Sequence, residues 1–128
     1  MPADTNAMND TPVYRLPIKQ GADFSYTFRL FKVDVQGRVT DEIADLSGYT
    51  GAVSELRKAP GAPLLATFDT TIDVGDGSVT IALPTPQTNA LDFTTARLDI
   101  FLIKPGGNRD KVLVGAITFE RSITQWQE

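Results

Sequence analysis

The sequence predicts an all-β domain, an antiparallel β-sandwich of about seven to eight strands with one short helix near residues 85–91. Short runs in which apolar and polar residues alternate recur along most of the chain. This period of two is typical of strands with one face in the core. Turn signals separate the runs at intervals of roughly 8–15 residues, a spacing that favours a β-sandwich.

The first strands are predicted between Pro12 and Gly37. Residues 13–18 contain Pro17 and follow Pro12, which indicates an edge strand because proline has no N–H to donate to a ladder. The next strand is expected to place one apolar set in the core: Phe24, Tyr26, Phe28 and Leu30. The apolar phase then slips by one residue at Phe31. This slip indicates either a β-bulge or bend, or a strand covered on both faces.

Three further strands are predicted in the middle of the chain, at residues 52–57, 64–68 and 79–83. Leu64, Ala66 and Phe68 are the core candidates of the second. Pro60-Gly61 and Asp76-Gly77 are the turn signals that separate these strands.

The helix near residues 85–91 is predicted with Thr85 as its N-cap and Pro86 in its first position. Two strands follow, at residues 98–103 and 112–119, joined by a hairpin at residues 105–108. Both are apolar on nearly every residue, which predicts that they lie in the middle of a sheet and are covered on both sides.

A chain of 128 residues accommodates one domain, here expected over residues 12–121. Residues 1–11 are small and polar and are interpreted as a flexible arm. Residues 122–128 form a C-terminal tail with the only tryptophan, Trp126. Trp126 either packs back on the domain or anchors a neighbouring subunit, since tryptophan is enriched at the centres of interfaces.

The chain contains neither His nor Cys, which excludes disulfides, thiolate nucleophiles, catalytic triads with an imidazole base and His/Cys zinc sites. The acidic cluster of Asp41, Glu42 and Asp45, and the separate Asp92 and Asp99, are interpreted as solvated loop and strand-end residues. The segment from Asp73 does not match a calcium loop, because glycines occupy two ligand positions. We therefore expect no enzyme activity, no metal and no cofactor.

The net charge of −4 and the scattered Lys and Arg residues argue against nucleic acid as a partner. No apolar run approaches the ~18 residues of a membrane span, and the N-terminus does not match a signal peptide. We expect neither a membrane partner nor secretion.

Five blocks occur in an order that resembles small virion proteins of tailed bacteriophages, similar to the N-terminal domain of phage baseplate upper proteins. The blocks are IKQGADF at 18–24, DLSGYT at 45–50, DGSVTIALP at 76–84, LDIFL at 98–102 and VLVGAITF at 112–119. The resemblance implies an immunoglobulin-like sandwich that attaches fibres or spikes to a tail or baseplate. Its implied partners are other virion proteins and copies of itself, and its location is the virion, after synthesis in the host cytoplasm.

The sequence departs from the pattern of baseplate upper proteins, which carry a long helical or fibre-forming extension after this domain. We therefore expect a tail, baseplate or collar adaptor subunit. The alternatives are a head decoration protein and a carbohydrate-binding module, in which exposed Phe24, Tyr26 and Phe28 would stack on sugar rings.

Contacts with partners are expected at the two ends of the chain. The candidate residues are Met1, Pro2, Asn9, Tyr14, Gln125 and Trp126.

Overall fold

The computed structural model describes residues 13–124, which form ten strands and one short helix and confirm the all-β class. The strands are β1 (Val13–Lys19), β2 (Phe24–Arg29), β3 (Phe31–Val33), β4 (Val39–Ile43), β5 (Gly51–Arg57), β6 (Leu64–Thr67), β7 (Asp69–Asp73), β8 (Ser78–Leu83), β9 (Thr95–Ile103) and β10 (Arg109–Glu120). The helix, α1, spans Thr85–Ala90, where a short helix was expected. Ten strands exceed the predicted seven to eight because the run that begins at Phe24 is divided into β2 and β3, and because β4 and β7 were not predicted.

The strands form three sheets. The largest has the order β1-β10-β9-β5-β6, the second has the order β2-β8-β7, and within residues 13–124 β3 pairs only with β4. β1 is therefore an edge strand, and β9 and β10 lie mid-sheet, both as predicted. β1 nevertheless runs parallel to β10, from Val13 beside Val114 to Lys19 beside Glu120. The expectation of a purely antiparallel sandwich is wrong here, because side-chain alternation sets which face is buried but not which way an edge strand runs.

The five-stranded and three-stranded sheets contribute their buried residues to one core. These residues alternate along the strands, as in Ala96, Leu98, Ile100 and Leu102 of β9. The prediction that β9 and β10 are covered on both sides is wrong for the described chain. On the opposite face Arg97 and Thr118 are exposed, and Phe101 and Val114 are only half-buried.

The slip of apolar phase after Leu30 marks the point where the chain leaves the three-stranded sheet. β2 ends at Arg29, and Phe31 begins β3 of the separate two-stranded hairpin. The predicted bend is thus confirmed. The alternative, a strand covered on both faces, is wrong because Val33 of β3 is 59% exposed. β4 was not predicted, because its charged Asp41-Glu42 pair hides the strand pattern.

The predicted strand at residues 64–68 continues beyond Phe68, where the chain passes from one sheet to the other. The Phe68 N–H donates to the Ser54 carbonyl oxygen at 3.0 Å, and the Phe68 side chain is buried as predicted. The prediction that Leu64 and Tyr26 lie in the core is wrong. They lie on edge strands and are exposed by 46% and 39%.

Helix α1 is held against the turn between β1 and β2. Thr85 is its first helical residue and not its N-cap, which is Pro84. The backbone N–H and the hydroxyl of Thr85 both donate to Asp23 Oδ1 at 2.8 Å. The predicted cap is wrong because a carboxylate distant in sequence takes the orphan N–H. The buried Thr88 hydroxyl donates to the Ala22 carbonyl oxygen at 2.8 Å.

Candidate docking groove

Tyr14 is the one predicted partner-binding residue that the structure describes. Met1, Pro2, Asn9, Gln125 and Trp126 lie outside the described residues. Tyr14 is on the edge strand β1 and is 39% exposed. Its ring meets the buried Phe28 edge-on, with 5.2 Å between the ring centroids.

Tyr14 lines an open groove of about 340 Å³, which we call the hairpin groove. One wall is the β3–β4 hairpin, which contributes Phe31, Val33 and Val39. The floor is formed by apolar side chains, among them Leu30, Leu46, Leu102 and Leu113. Val33 and Val39 are cross-strand partners, so they form one continuous apolar strip along the wall.

The hairpin holds an unusual share of the exposed apolar surface. Of the ten large apolar side chains that are exposed among the described residues, five lie between Phe31 and Ile43. Within residues 13–124, β3 and β4 each pair on one side only, so both outer edges of the hairpin keep unpaired backbone groups. An isolated two-stranded hairpin is marginally stable in water. Apolar surface beside unpaired strand edges is typical of sites where another chain adds.

The base of the hairpin is fixed to the turn between β7 and β8. The Leu30 N–H donates to the Gly77 carbonyl oxygen at 2.7 Å, and the Ala44 N–H donates to the Leu30 carbonyl oxygen at 2.9 Å. At the tip, Asp34 Oδ1 accepts from the backbone N–H groups of Gln36 and Arg38, both at 2.9 Å. Because its base and tip are ordered by these bonds, the hairpin presents its apolar strip at a defined position.

Polar groups form the rim of the groove. Arg29 pairs with Asp76 at 2.6 Å. The backbone N–H of Ser47 donates to Asp45 Oδ1 at 3.0 Å and holds the pKa of that carboxyl below its usual range. An apolar centre with a polar rim is the usual composition of a protein–protein contact surface.

The Tyr49 hydroxyl adds to this rim by donating to Asp110 Oδ2 at 2.7 Å. This hydrogen bond lowers the pKa of Asp110 and raises the pKa of Tyr49. Lys104 Nζ also lies 3.3 Å from Asp110 Oδ2.

The acidic residues singled out in the sequence do not converge on one site. Asp41 and Glu42 are exposed on β4, Asp92 pairs with Arg121 at 2.5 Å, and Asp99 lies on the outer face of the five-stranded sheet. Within residues 13–124 no three acidic side chains are grouped so that they could hold a metal ion. In the same part of the chain, no helix has the length and apolar character to cross a membrane.

Sequence reasoning missed Val33 and Val39 as site residues. The available signal was the phase slip, which places apolar residues on a segment with no matching core face. No protein-family model matches the chain, and no curated protein sequence is significantly similar to it.

Proposed function

We propose that this chain is a structural subunit of a tailed-bacteriophage virion, an adaptor of the tail, baseplate or collar that binds another virion protein in the hairpin groove. The observation that supports it best is the exposed apolar strip of Val33 and Val39 beside strand edges to which no other strand of residues 13–124 is paired. The order of sequence blocks described above supports the phage assignment. The occupant we assign is an extended apolar segment of the partner, which can add a strand to the hairpin and fill the groove with alternate side chains.

The finer fold assignment belongs to the same proposal. We assign the chain to the immunoglobulin-like sandwiches because two sheets share one core and the chain changes sheet at Phe68. The parallel pairing of β1 with β10 is an addition to the antiparallel pattern.

The experiment compares two substitutions on the same hairpin. Val33→Asp places a carboxylate in the groove, whereas Val35→Asp places one on a residue that is fully exposed and does not line the groove. Each full-length variant is supplied in trans to phage that lack the gene, and the amount of chain in purified particles is measured. An unpaired charge in a desolvated contact should reduce incorporation by about tenfold or more for Val33→Asp. Val35→Asp should behave as the wild-type chain does.

Two results would oppose the proposal in different ways. If both variants are incorporated equally, the hairpin groove is not part of the assembly contact. If the wild-type chain is absent from purified particles, the protein is not a virion subunit. Deleting residues 1–11 and 122–128 in the same assay tests the predicted contacts of the two ends, and normal incorporation of that chain would contradict them.

The expectation that Phe24 and Phe28 are exposed for stacking on sugar rings is wrong, because both are buried in the core. A carbohydrate-binding module is the second candidate, favoured by Tyr14 and Tyr26, which are each 39% exposed and both contact the ring of Phe28. Titration with host polysaccharides, monitored by tyrosine and tryptophan fluorescence, tests it. The double variant Tyr14→Ala/Tyr26→Ala should abolish any response that comes from this pair.

A further inference from the structure

The outer face of the five-stranded sheet bears a second open groove, of about 410 Å³, which we call the sheet-face groove. Its floor is formed by β5, β9 and β10, and the loop between β5 and β6 stands beside it as a wall, with Ala59, Pro60 and Gly61. Arg57 braces this wall, because its guanidinium donates to the Ala62 carbonyl oxygen at 2.6 Å.

Charged side chains on this face are arranged in rows across the strands. Glu55 of β5 lies directly opposite Asp99 of β9, and in the next row Arg57 lies directly opposite Arg97. All four line the sheet-face groove and therefore share one face. A row of two carboxylates thus lies beside a row of two guanidinium groups, about 7 Å away along the strands.

Like charges directly opposite each other in a sheet are destabilising, so two such pairs in neighbouring rows cost folding stability. Ion pairs among the described residues offset this repulsion only in part. Arg57 pairs with Glu55 at 2.9 Å, but Lys111 Nζ is 3.9 Å from Asp99. Among residues 13–124, Arg97 forms no ion pair within 4.0 Å. Of the four charged side chains, Asp99 and Arg97 on β9 are thus the two whose charges are least compensated within residues 13–124.

The outer face of the five-stranded sheet also carries apolar side chains that another layer of protein could bury. Val53 and Phe101 are cross-strand partners in the row beyond the carboxylates, and Val114 lies beside Asp99 on β10. All three are half-buried. Strands that are apolar on both faces usually lie between two covering layers, and here only one layer belongs to the described chain.

We propose that the sheet-face groove binds a second copy of this chain, through a twofold axis that runs across the strands between the carboxylate row and the guanidinium row. This rotation places each strand opposite the same strand of the other copy and reverses the order of the rows along it. The charge pattern of one copy is therefore complementary to that of the other. Each Asp99 then faces an Arg97 of the other copy, and each Glu55 faces an Arg57. An isologous contact of this kind closes at two subunits.

The dimensions suit such a contact. Sheets that pack face to face lie about 10 Å apart, a gap that opposed Arg and carboxylate side chains can span. Arginine and carboxylate can also join by two parallel hydrogen bonds. The same axis brings Val53 over the level of Ala59 in the other copy, so apolar side chains meet the loop wall on both sides of the charged rows.

The test exchanges charges on β9 alone and leaves the bracing Arg57 intact. Asp99→Lys and Arg97→Glu are each prepared in the full chain, with Asp69→Lys on β7 as a control that changes the net charge as Asp99→Lys does. Mass is measured by sedimentation equilibrium and light scattering at about 0.1 mM chain, in about 50 mM and about 500 mM NaCl. We expect the wild-type chain and Asp69→Lys to form dimers that weaken at the higher salt concentration. Each β9 variant alone should be monomeric because it brings like charges together twice.

An equimolar mixture of Asp99→Lys and Arg97→Glu should restore a dimer with one chain of each kind, since every opposed pair is then of opposite sign. Native mass spectrometry identifies that species. A monomeric wild-type chain at about 0.1 mM and low salt, β9 variants that still form dimers, or a mixture that stays monomeric would each overturn the proposal. This surface is separate from the hairpin groove, so these results do not depend on whether the chain is a virion protein.

Discussion

Gly77, in the turn between β7 and β8, packs so closely against Ile43 at the base of the hairpin that a Cβ atom on the glycine would overlap the Cγ2 atom of Ile43. The backbone at Gly77 also has a φ of +64°, in the left-handed region that glycine adopts most readily. The Asp76-Gly77 turn, recognised in the sequence, therefore has a second role as the surface on which the hairpin rests.

Gly77→Ala should destabilise the protein by at least about 2 kcal/mol, because left-handed strain and steric overlap add together. Gly37→Ala is the matched control, since Gly37 has a φ of +83° but open space around its Cα. It should lose only about 1 kcal/mol from strain. Urea unfolding of both variants measures the two losses. Equal losses would show that the hairpin does not rest on Gly77.

Sequence analysis predicted the features of a strand that depend on the residues of that strand alone. Pro17 identified β1 as an edge strand because a missing N–H is tolerated there. The continuous apolar pattern of residues 98–103 and 112–119 identified the mid-sheet strands β9 and β10. The direction of β1 beside β10 was not predictable, since it depends on where the chain crosses between sheets.

The candidate site was predictable only in part. Tyr14 was identified from its place near the end of the chain, but Val33 and Val39 were not. Alternation shows that a strand has an apolar side and does not show whether the fold covers that side. The arrangement of Arg97 and Asp99 needed the register between β5 and β9, which no single strand reveals.

Ser54 and Thr88 are two of the three hydroxyl-bearing side chains that are buried among residues 13–124, and they differ in whether the hydroxyl has a hydrogen-bond partner. Ser54 is 1% exposed, and its Oγ forms no hydrogen bond with any described residue. Thr88 is fully buried, and its Oγ1 donates to the Ala22 carbonyl oxygen. Removing an unsatisfied hydroxyl relieves a desolvation cost, whereas removing a satisfied one leaves its partner unpaired.

Ser54→Ala should therefore raise the free energy of unfolding by about 0.5–2 kcal/mol. Thr88→Val, which keeps the side-chain shape, should lower it by about 1–2 kcal/mol and loosen the attachment of α1 to the turn after β1. Thermal and urea unfolding distinguish the two. A loss of stability in Ser54→Ala would indicate that the Ser54 hydroxyl has a polar partner after all.

The bond between Tyr49 and Asp110 on the groove rim predicts a stability that depends on pH. The pKa of Asp110 is lowered, first by the hydrogen bond from Tyr49. A lowered folded-state pKa contributes stability that is present above the unfolded value, about 3.9, and is lost as the pH falls through the folded value. The pKa of Tyr49 is raised, chiefly by the same bond. Its contribution is present below about pH 10 and is lost as the pH rises through the folded value.

Tyr49→Phe should thus be less stable than the wild-type chain at neutral pH, and the difference should shrink below about pH 4 and above about pH 10. Tyr26→Phe is the control, because the Tyr26 hydroxyl forms no hydrogen bond recorded within residues 13–124. Its difference from the wild-type chain should stay small and flat across the same range. Urea midpoints measured from pH 3 to pH 11 provide the two curves. A Tyr49→Phe difference that is constant with pH would mean that packing of the ring, and not its bond to the carboxylate, accounts for the loss.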